Sequence, residues 1–322
     1  LILYGFSLIY GLTGQLVFAD ISAYLLANSL GSSPVLLLSA ILVISGIGFK
    51  ISVVPFHSWA PDTYEGAPLP ITAYLSVSSK ATGFVALIVL LTKVFESSGQ
   101  SWGVILAIVA GATMTLGNLV ALQQTNPVRL FAYSSISQAG FIIAPLAVSG
   151  ITGNYQDGIF ASVTYLIIYA FMNIGAFLSV HLFTNFTNSD NFYEWGGIAK
   201  HSPLAGVLTT VFFFSLAGIP PLGGWFAKFV VFRSLLSTGE IIGVSLAIVG
   251  AINAVIALVY YARISKVIWM DELKNPEEEK SFEFQSPLKV VGALTVLITF
   301  VAGIFPGIFS YLGEVSSIFF GN

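Results

Sequence analysis

The sequence contains no cysteine and few charged residues. Without cysteine the chain can form no disulfide, and it offers no thiolate ligand to a zinc ion or an iron–sulfur cluster. Its three histidines, His57, His181 and His201, are too widely spaced to predict a metal site. No glycine-rich dinucleotide loop lies between a strand pattern and a helix pattern. If the function involves redox chemistry, we expect its centres to lie in other chains.

Charged residues make up only 8% of the 322 residues, whereas 56% are hydrophobic. A soluble domain carries about a quarter charged residues, so this chain could not cover the surface of a soluble protein of its size. The net charge of −3 gives no basis for nucleic-acid binding. The composition therefore predicts a membrane protein whose surroundings are the lipid bilayer.

Nine apolar segments have the length of membrane-crossing helices or parts of them. Because these runs do not alternate with a period of two residues, they do not predict β-strands. The segments are 1–11 (partial), 35–58, 69–93, 102–122, 128–149, 158–183, 204–236, 240–269 and 288–312. We interpret the start at Leu1 as partial, with further helices upstream. The predicted fold class is an all-α, polytopic membrane helix bundle.

Basic residues in the connections between segments predict the orientation. Seven lie on one side: Arg129, Lys200, Arg263, Lys266, Lys274, Lys280 and Lys289. Two lie on the other side, Lys93 and Arg233. The loops 60–68, 123–127, 184–203 and 270–287 are therefore predicted to be cytoplasmic. Arg129 fits an orientation anchor, with a residue of the transport pathway as the alternative. Asn253, inside 240–269, is predicted to bridge two helices by hydrogen bonds.

Three lysines, Lys50, Lys80 and Lys228, lie deep inside apolar segments. A charge at mid-membrane is costly, and Lys50 and Lys80 are roughly 15–18 Å from the 60–68 loop along their helices. Every Asp and Glu lies in a loop or at a segment end, so no obvious ion-pair partner exists. A buried lysine can release its proton, which an arginine cannot. A row of such lysines predicts a proton relay; a structural cation or a snorkelling side chain is the alternative.

We expect Lys50 and Lys80 to face the bundle interior, with polar neighbours for Lys80. Those neighbours are predicted to be Ser76, Ser78, Ser79 and Thr82, unless these hydroxyls only bond to their own helix. His57 follows Lys50 by seven residues, or two turns of one helix face. It could pass protons between Lys50 and the cytoplasm, or be an ordinary interfacial histidine.

Helix-breaking residues lie beside two of these lysines: Gly46, Gly48 and Pro55 near Lys50, and Pro220, Pro221, Gly223 and Gly224 near Lys228. We expect breaks near Gly46–Lys50 and Ile219–Gly224. Broken membrane helices are tolerated where they line a cavity. A pair of them in two halves of a chain predicts inverted repeats with a transport pathway at their interface. A proline kink without a function is the alternative for either break alone.

Three long blocks carry a resemblance to a known family. They are FKISVVPFHSWAPDTYEGAPLPITAYLSVSSKATGF, NPVRLFAYSSISQAGF and SLAGIPPLGGWFAKFVVF. The blocks resemble the antiporter-like membrane subunits of respiratory complex I, the proton-translocating NADH:quinone oxidoreductase, and most closely its subunit-2 type. The resemblance implies that Lys50, Lys80, Lys228 and His57 form the proton relay. It also implies a key glutamate upstream of Leu1.

The same resemblance implies the domain organisation. Residues 1–93 would be the end of a first inverted repeat, with the broken helix 35–58 and the helix 69–93. Residues 102–269 would be the second repeat, with the broken helix 204–236, and 288–322 a C-terminal helix and tail.

No cofactor is expected in this chain. The resemblance implies that NADH, flavin, iron–sulfur clusters and quinone belong to partner subunits, and that the other membrane subunits of complex I are its partners in a bacterial plasma membrane. Three alternatives remain. They are a cation/proton antiporter subunit of the Mrp type, a membrane subunit of a related hydrogenase or photosynthetic complex, and a membrane scaffold that transports nothing. The buried lysines argue against the scaffold.

Overall fold

The computed structural model describes residues 1–272 and 286–321, which form fifteen α-helices and no β-strand. The helices are α1 (Ile2–Thr13), α2 (Phe18–Ala27), α3 (Pro34–Ile51), α4 (Trp59–Gly66), α5 (Leu69–Tyr74), α6 (Lys80–Lys93), α7 (Gly99–Ala121), α8 (Pro127–Thr152), α9 (Tyr155–Thr187), α10 (Ile198–His201), α11 (Pro203–Ala217), α12 (Gly223–Ser237), α13 (Ile241–Met270), α14 (Ser286–Ile304) and α15 (Gly307–Gly321). A π-helical segment, Leu75–Ser79, joins α5 to α6. Lys274 and Lys280, which contributed to the predicted orientation, and Asn322 lie outside the described residues.

Seven helical stretches of the described chain are long and apolar enough to cross a membrane, and α1 with α2 would add an eighth if that bent pair were one span. The all-α, multi-pass membrane class predicted from the sequence is confirmed. The predicted segment 288–312 differs, because α14 ends at Ile304 and a separate helix, α15, follows. Pro306 has no N–H to continue the hydrogen-bond ladder of α14, which explains the interruption.

Helices α8 and α9 form the centre of the bundle. In the most apolar stretch of α8, 89% of the residues are buried within the chain, compared with 28% in that of α14. Helix α14 therefore lies at the periphery. Helix α9 contacts α8, α11, α12, α14 and α15. Because lipid is as apolar as leucine, close packing and interhelical hydrogen bonds hold such a centre together. Polar side chains of α8 and α9 are therefore placed inside the protein.

The first break lies later in the chain than the sequence suggested. Helix α3 continues through Gly46 and Gly48 and ends at Ile51, so the prediction of a break at Gly46–Lys50 is wrong. The two glycines serve packing instead, because a Cβ at Gly46 would collide with Ile2. The irregular stretch begins at Ser52, whose φ is 60°, and continues through Pro55 to the start of α4.

The second break separates α11 from α12, within the predicted 204–236 segment. Helix α11 ends at Ala217, and Gly218 follows with a φ of 96°, in the left-handed region that glycine tolerates. Pro220 and Pro221 occupy the turn, and α12 begins at Gly223. Because these two prolines have no N–H, the carbonyl groups of Leu216 and Ala217 at the end of α11 have no backbone partner among the described residues.

One end of the bundle gathers the connections that were predicted to share a side of the membrane. The N–H of Phe192 donates to the carbonyl of Thr125 at 3.2 Å, and the Arg263 guanidinium donates to the carbonyl of Gln124 at 3.2 Å. We refer to this end, which also carries α4, as the predicted cytoplasmic end.

Candidate functional site

Lys80 begins α6 directly after the π-helical segment, and only 1% of its surface is exposed. Its ammonium donates to the hydroxyl of Ser135 at 2.7 Å and to the carbonyl of Ser135 at 3.2 Å. The ring of Tyr64 on α4 lies 5.9 Å from the same nitrogen. No carboxylate pairs with Lys80 among the described residues, so neutral polar groups alone solvate this buried cation.

A group of polar side chains from α8 and α9 extends from this lysine. Tyr169 donates to the Ser135 hydroxyl at 3.0 Å, and Asn173 donates to the Ser76 hydroxyl at 2.7 Å. The Tyr169 hydroxyl also reaches the carbonyl of Ser76 at 3.4 Å. Pairing across helices in this way satisfies polar groups that the bilayer cannot solvate.

The polar neighbours of Lys80 were only partly predicted. Ser76 is buried in this group, whereas Ser78 and Thr82 face outward, and Thr82 donates to the carbonyl of Ser79. The partners that do contact Lys80 come from another helix 55 residues further on. Only the block NPVRLFAYSSISQAGF, with its cluster of hydroxyls inside an apolar helix, could have pointed to them.

Lys228, on α12, is 4% exposed. Its ammonium donates to the carbonyl of Ala217 at 2.6 Å and to that of Leu216 at 3.2 Å. These are among the carbonyls left free where α11 ends, so the helix break supplies the ligands of the lysine. The ring of Phe141 lies 5.2 Å from the same nitrogen and adds a cation–π contact.

Gln138 connects the two lysine sites. It lies one turn after Ser135 on α8, and its amide nitrogen donates to the carbonyl of Leu216 at 3.3 Å. Lys228 donates to this same carbonyl. The side-chain oxygen of Gln138 accepts a hydrogen bond from Tyr165. One helix, α8, therefore contacts Lys80 through Ser135 and shares a ligand with Lys228 through Gln138.

Lys50 is placed differently from the expectation. It is exposed on α3, next to the exposed Phe49, and it has no hydrogen bond or ion pair to another described residue. The prediction that it faces the bundle interior is wrong for the described part of the chain, because α3 packs mainly on α1, α6 and α7 and Lys50 is exposed. The stem of Lys50 does lie against Gly83, one turn after Lys80.

His57 lies in the irregular stretch between α3 and α4, not on the helix that carries Lys50. The expectation that two helical turns relate these residues is wrong, because the helix ends at Ile51. The ring is half-buried, and its Nδ1 has no hydrogen-bond partner among the described residues. Burial lowers the pKa of His57, and the Pro55 backbone opposes part of that effect.

Two further polar clusters tie helices together. Arg129 binds Asp62 at 2.8 Å and Glu65 at 2.6 Å, which fastens α4 to the start of α8. Asn118 on α7 donates to the side chain and the carbonyl of Asn253 on α13, both at 3.0 Å. The predicted bridging role of Asn253 is confirmed.

Within residues 1–272 and 286–321, no three His, Asp or Glu side chains come together as possible metal ligands. The polar interior of the described chain consists instead of lysines, hydroxyls and amides. Such an arrangement can hold and pass protons and can bind water.

A family model and the curated relatives of this chain point to the same family. The family described as "NADH:quinone oxidoreductase/Mrp antiporter, TM" matches residues 1–256. NADH-quinone oxidoreductase subunit N of Desulforamulus reducens is 37% identical over 95% of this chain and 61% of its own length. The chain spans about three fifths of the length of the first curated relatives that it matches.

Solved structures agree at the level of the fold. A chain of respiratory complex I from Thermus thermophilus with bound aureothin is 27% identical, with a TM-score of 0.75, over 96% of this chain and 64% of its own. A chain of the Mrp complex from Dietzia sp. DQ12-45-1b has a TM-score of 0.82 at 22% identity, over 98% of this chain and 64% of its own, and shows the shared fold alone. The chain belongs to the NADH:quinone oxidoreductase/Mrp antiporter family of membrane proteins.

Proposed function

We propose that this chain belongs to a proton-translocating membrane subunit of an NADH:quinone oxidoreductase, of the subunit-N type. The support is the name and identity of its curated relatives together with the buried lysines. In this proposal NADH, flavin, iron–sulfur clusters and quinone belong to partner subunits, and electron transfer there drives proton movement here. The complex would lie in a bacterial plasma membrane, with other complex I membrane subunits as neighbours.

The observation that carries the proposal is the pair of buried lysines linked by α8. Lys80 binds Ser135, and one turn later Gln138 shares the Leu216 carbonyl with Lys228. Burial without a paired carboxylate favours the neutral form of a lysine. A nearby negative charge favours its charged form, and a nearby positive charge favours its neutral form. Each lysine can then take up or release a proton as its neighbours change.

Lys50 and His57 form the first stage of this relay in our proposal. The stem of Lys50 lies against Gly83, on the same helix as Lys80. A lysine exposed to hydrocarbon is costly, so we expect helices of the full assembly to cover this face of α3. His57, in the irregular stretch towards the predicted cytoplasmic end, would exchange protons with water there.

The inverted-repeat organisation is part of the same proposal. The broken pair α3–α4 in residues 1–93 and the broken pair α11–α12 in residues 102–269 each carry one lysine next to the break. The α11–α12 break supplies the carbonyl groups that Lys228 binds, as broken helices supply backbone groups to ions in transporters.

A cation/proton antiporter subunit of the Mrp type is the second candidate. The observations in its favour are the description of the shared family and the fold of the Dietzia complex. Such a protein would exchange protons for sodium without NADH. Sodium-gradient-driven proton movement in vesicles that lack NADH would support it, and its absence would support the respiratory subunit.

Lys80→Met in the full-length subunit tests the proposal. Methionine keeps the length of the side chain but cannot carry a proton, so NADH-driven proton uptake into sealed vesicles should be lost in the assembled complex. Lys266→Met, at an exposed position of α13, is the matched control and should pump normally. Normal pumping by assembled Lys80→Met would exclude Lys80 from proton transfer.

A further inference from the structure

Tyr64 is a buried tyrosine whose hydroxyl has no hydrogen-bond partner among the described residues. The residue is fully buried on α4, packed edge-on against Trp59 and Phe177. Burial raises the pKa of Tyr64, and the Ser135 hydroxyl, which lies close by but does not meet the geometry of a hydrogen bond to it, offsets part of this rise. A buried hydroxyl without a partner destabilises the folded state, so a partner for Tyr64 is expected at this position.

Lys80 has a matching unused donor. An ammonium group has three N–H donors, and within the described chain those of Lys80 reach two acceptors, both on Ser135. The Tyr64 ring lies 5.9 Å from the Lys80 nitrogen. The unpaired hydroxyl and the unused ammonium proton are thus on neighbouring side chains. A water molecule bound to both would satisfy the two groups at once.

The placement of Tyr64 indicates on which side of Lys80 this water would lie. Helix α4 carries Asp62 and Glu65 at the predicted cytoplasmic end, where Arg129 binds both. Tyr64 lies on the same short helix, and its ring is 5.9 Å from the Lys80 nitrogen. Arg129 is six residues before Ser135 on α8, so the ion pairs hold α4 against the helix that binds Lys80. A water held by Tyr64 therefore lies between Lys80 and the predicted cytoplasm.

We propose that Tyr64 and Lys80 bind one water molecule, which exchanges protons between Lys80 and the cytoplasmic side. This inference rests on the proposed function. In the forward step an N–H bond of the ammonium breaks as an O–H bond forms on the water, which passes a proton onward; uptake is the reverse. No group is oxidised or reduced. Tyr64 acts by positioning the water.

Tyr64→Phe in the assembled, full-length complex is the test. It keeps the ring and its contact with Lys80 and removes only the hydroxyl. We expect NADH-driven proton uptake to slow about fivefold, the factor that one ordinary hydrogen bond contributes, and the solvent deuterium isotope effect on that rate to increase. Tyr260→Phe, which removes a hydroxyl bound to Asn118 on the α7–α13 side, is the control and should change neither quantity.

A Tyr64→Phe complex with normal rate and normal isotope effect would overturn the inference. If Lys80→Met still abolished pumping in that case, the proposed function would stand without the role of Tyr64; if both variants pumped normally, both would fall. If the Tyr64→Phe variant does not assemble, the inference can be tested directly on the wild-type complex. A high-resolution structure of the wild-type complex should show water within hydrogen-bond distance of both Tyr64 Oη and Lys80 Nζ, and an ordered site without water there would overturn the inference.

Discussion

Gln138→Leu should interrupt the connection between the two lysines while changing the stability of the bundle moderately. The substitution removes the bonds from Gln138 to the Leu216 carbonyl and from Tyr165 to Gln138. Interhelical side-chain hydrogen bonds in membranes contribute about 0.6 kcal/mol each on average. The Tyr165 hydroxyl, left buried without a partner, adds a cost of about 1–3 kcal/mol. The single variant should therefore be destabilised by about 2–4 kcal/mol.

The double variant Gln138→Leu/Tyr165→Phe separates stability from transport. It removes the unpaired hydroxyl, so the stability cost should fall to about 1 kcal/mol, the sum of the two lost bonds. Transport should not recover, because leucine offers no polar group between Ser135 and Leu216. A barrier increase of about 1.4 kcal/mol already slows a step tenfold, and we expect at least about that reduction in coupled proton uptake.

The assay compares thermal inactivation and NADH-driven proton uptake of the assembled complex for wild type, the single variant and the double variant. Gln124→Leu, the same substitution at the predicted cytoplasmic end, is the control. If the double variant regains both stability and the normal pumping rate, Gln138 does not connect the two lysine sites.

Two further substitutions test the packing of helices against one another. Asn118→Ala removes its bonds to Asn253 and Tyr260, so thermal stability should fall by about 2 kcal/mol; a changed ratio of protons to NADH would contradict a purely structural role. Gly224→Ala places a Cβ against the carbonyl of Ser215 and should reduce the amount of assembled subunit, whereas Gly307→Ala, with open space around it, should not. Equal assembly of the two variants would refute the close packing of α11 on α12.

The lysines could be predicted because the signal is local. A charge inside an apolar segment stands out in the sequence, and Lys80 and Lys228 are indeed buried. The hydroxyl cluster of α8 points to a polar region, but the individual partners of these lysines could not be predicted, because hydroxyl and amide side chains are common in membrane helices. Which of them face the interior depends on how α8 packs against α6 and α9. Ser135 and Gln138 are examples: neither differs in local sequence from a side chain bonded to its own helix.

The position of Lys50 and the first helix break show the limits of local reasoning. Glycines such as Gly46 have a low helix propensity, yet in membranes they also allow close helix contacts, and packing on Ile2 decides the outcome. The distance of Lys50 from a loop predicts its depth along α3, but not the direction in which the side chain points. That direction depends on the helices packed around α3.

Proton uptake per NADH oxidised, measured in sealed vesicles with the assembled Lys80→Arg complex, tests the central claim most directly. Arginine keeps the positive charge next to Ser135 but cannot release a proton at working pH. If Lys80 carries protons, pumping should be lost, and quinone reduction should fall with it where the two are tightly coupled. An assembled Lys80→Arg complex that pumps at the normal ratio and rate would show that Lys80 is a structural cation, not a proton carrier.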